Sequence, residues 1–402
     1  MKTVDAHLAE ILGAVRPLDP IELDLEEALG STLAEDVTSP VALPPFDNSA
    51  MDGYAVYAGD VAGATGDDPV VLPVTVDVAA GDTASRAVER GSVTRIMTGA
   101  PVPEGADAVV PVEWTDGGTV KVTISRPAAP GNAIRRSGED VQAGDLVLAA
   151  GTMIGPPQLG ILAGVGRRTV LAHPRPRVVV LSTGAELVEP GRPLGHGQIW
   201  ESNSFTMVAA VQQAGGVAFR RSAVGDDPDE FFATLHGLLD EADAVITTGG
   251  ISMGAYEPVK EALSPLGTVK FEKVAMQPGM PQGFGLLGDR QVPIFTLPGN
   301  PVSSYVSFVL YVKPALARMR GVPAGPLATV TATTTAAVRS PAGRRSFLRG
   351  VLSTASGGAV VTPVHGQGSH QLAALAGANA LIVVPEDVTG LPEGTVVEVI
   401  PL

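Results

Sequence analysis

Regular alternation of strand and helix between Arg177 and Arg320 is the feature that most limits the fold of this chain. Short β-branched runs alternate there with amphipathic segments, and such alternation builds a parallel, three-layer sheet with helices on both faces. The predicted strands are Val178–Ser182, Val217–Val224, Ala244–Thr248, Val269–Val274 and Ile294–Leu297. The predicted helices are Phe205–Ala214, Asp229–Asp240, Pro258–Leu266 and Val302–Arg320.

The segments before and after this region show β-strand patterns and few helical ones. Short apolar runs separated by Gly, Pro and Asp turns predict a β-rich insertion domain, with strands at Val70–Val78, Ser92–Met97, Ala108–Val112 and Val120–Ile124. Thr/Val alternation after Pro326 predicts a C-terminal β-barrel or sandwich. The chain is thus expected to be a mixed α/β, multi-domain protein. Its predicted domains are 1–40 with 138–172 as one discontinuous α/β domain, 41–137, 173–324 and 325–402.

Composition excludes several classes of function. The 27 basic and 42 acidic residues give a net charge of −15, which repels phosphate backbones, so nucleic-acid binding is not expected. The absence of cysteine excludes disulfides, zinc–thiolate sites and thiol catalysis. The first residues lack a signal-peptide pattern, and the apolar stretches are shorter than the ~20 residues of a membrane span. A cytoplasmic protein without membrane insertion is therefore expected.

Three Gly-rich turns each follow a predicted strand of the α/β domain, and in chain order they are Ser182–Gly184, Thr247–Ser252 and Pro298–Ser304. In open α/β sheets, ligands bind beyond the carboxyl ends of the strands, and glycine-rich backbone there can approach a phosphate closely. One such turn alone is more typical of an ordinary connection, but three at one edge favour an anionic, phosphate-bearing ligand. None of these three turns carries GxGxxG or GxxxxGK, so an ordinary NAD or ATP site is not expected there. The candidate binding residues are Thr183, Gly184, Thr248, Gly249, Gly250, Ser252, Pro298, Gly299, Asn300 and Pro301.

Further short motifs along the chain, in order and at consistent separations, complete a family pattern. They are Pro44–Ala55, Ile96–Pro101, Pro130–Arg135, Gly138–Asp140, Gly197–Asn203 and Gln367–His370. With the three turns, they resemble the molybdopterin molybdenumtransferases of the MoeA type and the homologous E domain of gephyrin. The resemblance covers essentially the whole chain.

The resemblance implies a homodimer of four-domain subunits, with 173–324 as the molybdopterin-binding domain. The implied reaction inserts molybdate into adenylylated molybdopterin, with Mg²⁺ present and AMP released, and Ser369 joins the cofactor-binding residues. Carried over by position, the catalytic residues are Asp52, Thr98, Asp140, Glu186 and Asp226. Asp52, Asp140 and Glu186 would ligate Mg²⁺, and hard divalent cations prefer such oxygen ligands.

One turn departs from the family pattern. A Lys-Pro-Gly-Lys-Pro sequence is usual, whereas this chain has Gln277-Pro278-Gly279-Met280-Pro281 and lacks both ammonium groups. Arg135, Arg136 and Arg349 are candidates to replace that charge. Restoring the lysines is expected to raise activity unless arginines already occupy the space.

Because the missing lysines could weaken catalysis, a second hypothesis for the function stays open. In that hypothesis the protein is a gephyrin-like scaffold that binds a peptide of a membrane or cytoskeletal/cell-division protein. No residue of this chain identifies such a partner. The four matching polar residues Asp52, Thr98, Asp140 and Glu186 favour the enzyme, because a chain without the chemistry has little need to keep them.

Overall fold

The computed structural model describes residues 1–82, 84, 86–221, 227–251, 257–355 and 357–402. The chain divides into two compact units. The first contains Met1–Leu23, Gly30–Ala34 and Leu171–Leu402, and the second contains Asp24–Leu29 and Glu35–Val170. Within the described part of the chain, none of the helices combines the length and apolar character that a membrane span requires.

A six-stranded sheet forms the centre of the first unit. In spatial order its strands are Val217–Arg220, Arg177–Ser182, Ala244–Thr248, Val292–Leu297, Pro281–Leu287 and Val269–Lys273. Five strands share one direction, but Pro281–Leu287 runs antiparallel to both of its neighbours. The predicted all-parallel sheet is therefore wrong and the sheet is mixed. The reversed strand reaches Val292–Leu297 through a short turn, and such a turn can join only antiparallel strands.

Helices cover both faces of this sheet. One face carries Val4–Ala14, Asn203–Gln213, Pro301–Ser307 and Lys313–Met319, with a π-helical turn, Phe308–Val312, between the last two. The other face carries Pro228–Leu238 and Pro258–Leu263, the latter followed by a 3₁₀ turn at Ser264–Leu266. Successive strand residues point to opposite faces, so Val178 and Val180 pack in one core and Val179 and Leu181 in the other. The three-layer prediction is confirmed.

A closed β-barrel forms the C-terminal part of the first unit. Around the barrel the strands are Arg345–Ala355, Gly358–Pro363, Val330–Thr334, Val396–Pro401 and Ala380–Val384, and the last pairs again with the first. Inward-facing Leu348, Val361, Ile382 and Val399 fill its interior. Smaller elements are the helix Leu372–Ala376 and the strands Val338–Arg339 and Gly390–Leu391. The barrel confirms the C-terminal prediction.

The second unit is built on a five-stranded sheet. Its strands, in spatial order, are Ala108–Pro111, Gly53–Val56, Val93–Ile96, Val70–Val78 and Lys121–Ile124, which confirms the four strands predicted there. Buried Tyr54, Val110 and Ile124 belong to its core. The unit also contains the strand pairs Asn48–Ser49 with Ile134–Arg135 and Val37–Thr38 with Leu146–Leu148, the helix Pro156–Gly164, and 3₁₀ turns at Ala58–Asp60 and Val112–Trp114.

The remaining short strands of the chain are Ile21–Asp24, Thr32–Leu33, Thr169–His173, Leu187–Val188, Ile199–Trp200 and Met276–Gln277. Together the elements confirm a mixed α/β, multi-domain fold with a three-layer α/β part, a β-rich part and a C-terminal barrel. The division into four domains at residues 40, 137, 172 and 324 stays a prediction.

Candidate active site

The three Gly-rich turns open onto one cavity of about 820 Å³ in the first unit. Ligand sites commonly have volumes of ~300–1,000 Å³, so the cavity is large enough for a cofactor-sized molecule. The predicted residues that line it are Thr183, Gly184, Glu186, Thr248, Gly249, Gly250, Pro298, Gly299, Asn300 and Pro301. The fold therefore brings these separated sequence motifs to one place.

Glycine is required at two adjacent positions of the second turn. Gly249 and Gly250 have φ values of +94° and +66°, in the region that favours glycine. A Cβ atom on Gly249 would lie 2.7 Å from the Thr183 carbonyl oxygen, and one on Gly250 would lie 2.7 Å from Val259. The first and second turns are also joined directly, because the Thr183 N–H donates to the Thr248 carbonyl at 3.0 Å. Bare backbone therefore forms this part of the cavity wall.

A buried hydrogen-bond network holds the strand ends beneath the turns. Glu201, 3% exposed, accepts from the Ser182 hydroxyl at 2.9 Å and from the Ser204 N–H at 2.8 Å. Ser182 also shares a 3.0 Å hydrogen bond with the Thr248 hydroxyl. The Arg220 guanidinium lies 3.8 Å from the Glu201 carboxylate and supplies its counter-charge. The Ser182 and Thr248 hydroxyls are thus committed to positioning the turns.

The charge of the cavity is negative. Glu186, Glu201 and Glu257 line it, and the described lining residues include neither lysine nor arginine. A phosphate-bearing ligand entering there needs a counter-charge from elsewhere. Exposed carboxylate oxygens such as those of Glu186 are the kind of ligand that a hard divalent cation prefers.

The turn Gln277–Pro281, which departs from the family pattern, lines the same cavity through Gly279 and Pro281. The Gln277 side-chain oxygen accepts a 3.3 Å hydrogen bond from Arg344 Nη1. The two residues meet because strand Met276–Gln277 pairs with the start of strand Arg345–Ala355. A guanidinium therefore stands next to the position of the first family lysine.

Arg136 and Arg349, two candidates for the missing charge, have other partners. Arg136 Nη1 donates to Asp47 Oδ2 at 2.6 Å in the second unit. Arg349 is fully buried and donates to the carbonyls of Gly366 and Gly368, at 2.8 and 3.2 Å. Arg349 thus holds the loop that carries Ser369.

Ser369 is the predicted binding residue of that loop. Its carbonyl accepts from the Val302 N–H at 3.0 Å, which ties the loop to the helix that follows the third turn. Ser369 is absent from the described cavity lining, whereas its neighbour His370 is part of it. The structure thus brings the loop, rather than the serine itself, to the cavity wall.

Asp52 and Thr98 form a tight pair in the second unit. Asp52 Oδ1 accepts from the Thr98 N–H at 2.7 Å and from the Thr98 hydroxyl at 2.8 Å. The backbone hydrogen bond, followed by the hydroxyl, lowers the pKa of the exposed Asp52 carboxyl below its usual range. A Cβ atom on the following residue, Gly53, would overlap the Val110 carbonyl, so the turn needs glycine there. The pair presents an ionised carboxylate whose second oxygen accepts no hydrogen bond within the part of the chain that the structure describes.

Asp140 also belongs to the second unit and is exposed. Its backbone N–H donates to the Leu43 carbonyl at 3.1 Å, which fixes the loop while the carboxylate faces solvent. Asp226 and Ser252, predicted as a catalytic and a binding residue, lie outside the described residues.

Several residues of the cavity lining are absent from the predicted site residues. They include Trp200, Asn203 and His370. Asn203 Nδ2 donates to the Gly299 carbonyl at 2.6 Å and so fastens the third turn. The available signal was the string Gly197–Asn203, which places polar and aromatic residues just before an amphipathic helix.

Comparison with known proteins agrees with this geometry along the whole chain. Residues 2–166 match the family model of the MoeA N-terminal region (domain I and II) and residues 331–402 that of the MoeA C-terminal region (domain IV). Residues 179–318 match a probable molybdopterin binding domain. The chain belongs to the MoeA family.

MoeA relatives resemble the chain over their full length. Molybdopterin molybdenumtransferase 2 of Mycobacterium tuberculosis (strain ATCC 25618 / H37Rv) is 46% identical over 405 residues, covering 99% of each chain. Molybdopterin molybdenumtransferase of Haemophilus influenzae is 36% identical, covering 100% of this chain and 98% of its own. The crystal structure of the molybdopterin biosynthesis moeA protein from Pyrococcus horikoshii OT3 superposes with a TM-score of 0.77, at 30% identity and full coverage of both chains. The resemblance inferred from the motifs is confirmed.

Proposed function

We propose that this MoeA-family chain inserts molybdate into adenylylated molybdopterin and releases AMP, as a step of molybdenum-cofactor synthesis. The observation that carries the proposal is the single cavity on which three glycine turns and Glu186 converge. Such a cavity suits a ligand that combines a phosphate with a larger organic group. The relatives named molybdopterin molybdenumtransferase support the same reaction, and the scaffold hypothesis has no support among them.

The proposed binding residues are those of the three turns and the loop behind them. Their role is to hold the phosphate-bearing part of the substrate against bare backbone, while the Ser182–Glu201 network keeps the turns in place. They are Thr183, Gly184, Thr248, Gly249, Gly250, Pro298, Gly299, Asn300 and Pro301, together with Ser252 and Ser369.

The proposed catalytic residues are Asp52, Thr98, Asp140, Glu186 and Asp226. Thr98 fixes the orientation of the Asp52 carboxylate and lowers its pKa, because both hydrogen bonds stabilise the charged form. Glu186 supplies a carboxylate directly at the cavity. These groups position the reacting oxygens and provide negative charge for a cation.

Mg²⁺ is part of the proposal, with Asp52, Asp140 and Glu186 as its ligands. When bound, it would neutralise phosphate charge and polarise the phosphoanhydride. The fit rests on the donor set, since all three are exposed carboxylates. A homodimer, which the family resemblance implies, and a cytoplasmic location, which the sequence predicts, complete the proposal.

The test is release of AMP from adenylylated molybdopterin by the purified protein with Mg²⁺, in the presence and absence of molybdate. The matched variant is Glu186→Gln, which keeps the size of the side chain and removes its charge. We expect molybdate-dependent release, reduced at least about tenfold in the variant, which corresponds to ~1.4 kcal/mol. No release under conditions where a family member with the lysine-bearing turn is active would overturn the proposal.

A further inference from the structure

Several apolar residues that line the cavity are open to water. Ile199 and Trp200, which form a short strand, are 54% and 53% exposed. Leu372, 38% exposed, also lines the cavity. The glycine turns that line the same cavity instead present backbone. The cavity therefore offers its ligand exposed apolar side chains as well as bare backbone.

The Trp200 indole is held in place without using its ring faces. Trp200 pairs with Val188 in a two-stranded ladder, and the next residue, Glu201, donates its N–H to the Val188 carbonyl at 2.9 Å. The indole N–H donates to the Arg192 carbonyl at 2.9 Å, so its only polar atom is satisfied. What remains exposed is π-surface, which favours contact with another planar ring.

The same strand is connected to the predicted catalytic acid. The Ile199 N–H donates to the carbonyl of Glu186 at 2.9 Å, since Leu187–Val188 and Ile199–Trp200 pair in parallel. Trp200 is thereby fixed relative to Glu186 by backbone bonds. A ring stacked on the indole would therefore lie at a fixed position relative to Glu186.

The geometry points to Trp200 as the stacking platform for the fused heteroaromatic ring of the substrate, a pterin or an adenine. This inference rests on the proposed function and deepens it by assigning a place to the ring. The phosphate contacts bare backbone at the glycine turns, and the ring contacts the indole. Base–aromatic stacking accepts any flat heterocycle, so both rings of adenylylated molybdopterin share the chemistry required.

Tryptophan fluorescence can test the assignment directly because the chain contains two tryptophans. A Trp114→Phe variant leaves Trp200 as the reporter, because Trp114 belongs to the second unit and is not among the described residues that line the cavity. The probes are AMP, a pterin phosphate and inorganic pyrophosphate, with calorimetry in parallel. We expect at least one ring-bearing probe to quench Trp200 on binding, and the probe that quenches identifies the stacked ring.

Affinity measurements provide the second arm. Trp200→Ala is expected to weaken binding of that ring-bearing probe roughly tenfold or more, which corresponds to the loss of one base–aromatic stacking interaction. Trp200→Phe should retain most of the affinity, because it keeps an aromatic ring. Pyrophosphate, which lacks a ring, should bind equally well to all three proteins. The inference is overturned if pyrophosphate loses affinity as strongly as the ring-bearing probes, or if neither of those quenches Trp200.

The two proposals fail in different ways. Ring-bearing probes that bind without any effect on Trp200 fluorescence, alongside normal molybdate-dependent AMP release, would refute the stacking platform and leave the proposed function standing. Quenching and ring-specific loss of affinity, alongside absent AMP release, would support the platform and refute the transferase.

Discussion

Substitutions at Asp52 can separate the effect of its charge on activity from its effect on stability. Asp52→Asn keeps an oxygen that accepts from the Thr98 N–H but removes the charge, and Asp52→Ala removes both. We expect both variants to lose AMP release by at least about a hundredfold, ~2.7 kcal/mol, while thermal unfolding is unchanged. Steady-state kinetics and calorimetry measure the two effects. Normal turnover of Asp52→Asn would show that the residue serves only the turn.

His7 is a buried titratable residue of the first unit that does not line the cavity. It is 3% exposed, its ring contacts Tyr311 edge-on at 4.8 Å, and its Nδ1 atom has no hydrogen-bond partner among the residues that the structure describes. Burial, with a smaller contribution from the charge of Lys2, lowers the pKa of His7 to about 4, although Glu10 and Glu272 oppose this. The folded protein therefore holds a neutral imidazole.

The sign of the pH effect follows from this depressed pKa. Between pH 6.5 and about 4 the unfolded chain binds more protons than the folded one, so the free energy of unfolding decreases as pH falls through that window. The His7 contribution is roughly 3 kcal/mol, at about 1.4 kcal/mol per pKa unit. Urea unfolding at pH 7.5 and 4.5 should show a weaker pH dependence in His7→Leu than in the wild type. His196→Leu, at an exposed position, is the control, and equal pH dependence in all three would contradict the assignment.

At the scale of elements, the strands with β-branched runs could be predicted, and the strand Pro281–Leu287 could not. Gly283 and Gly285 usually indicate turns, yet here they allow close packing, since a Cβ atom would overlap the Thr296 hydroxyl and the Thr268 carbonyl, respectively. Such a requirement comes from neighbouring strands and leaves no local signal.

The predicted helix Val302–Arg320 shows a second limit of the sequence pattern. Its apolar periodicity is correct, but the structure inserts the π-helical turn Phe308–Val312. Pro314 lies just beyond that turn and has no N–H to donate, so the regular helical hydrogen bonding is interrupted there. Periodicity indicates that a helix exists and does not specify its hydrogen-bond pattern.

The strand Met276–Gln277 leads into the turn that departs from the family pattern, and its pairing leads to a prediction at this scale. Because Arg344 donates to the Gln277 oxygen, Gln277→Lys would place two cations together and remove the acceptor. We expect kcat/KM for AMP release to fall several-fold in Gln277→Lys and to recover in the double variant Gln277→Lys, Arg344→Gln. A rise of more than about tenfold in the single variant would show that the position lacked a cation.

The Arg344 contact also shows which part of the site is inaccessible to sequence inspection. Gln277 and Arg344 are separated by 67 residues and meet through the pairing of two strands. The glycine turns could be predicted because each follows a strand of one sheet. Side-chain partners such as Glu201 with Ser182, or Arg349 with Gly366, depend on packing between elements that the pattern does not specify.

At the scale of the whole molecule, the first unit has a continuous hydrophobic core. Phe347 and Leu381 of the barrel pack in the same cluster as Phe295 and Leu316 of the α/β part. The two parts should therefore unfold together, although their sequence patterns differ.

Scanning calorimetry tests this continuity. Phe347→Ala and Leu316→Ala should destabilise the same unfolding transition, because each leaves a cavity in the shared core. The expected loss in the free energy of unfolding is ~3–5 kcal/mol for Phe347→Ala and ~2–5 kcal/mol for Leu316→Ala. Ile124→Ala, buried in the second unit, is the matched control and should lower a different transition. Separate transitions for the Phe347 and Leu316 variants would contradict a shared core.

The central claim, transfer of molybdate coupled to release of AMP, is tested most directly by measuring both products in one reaction. The wild-type protein is incubated with adenylylated molybdopterin and Mg²⁺ while molybdate is varied, and pterin-bound molybdenum and free AMP are quantified together. The account predicts equimolar amounts of the two, rising together with molybdate. AMP release that is independent of molybdate, or no release at all beside an active family member, would contradict it.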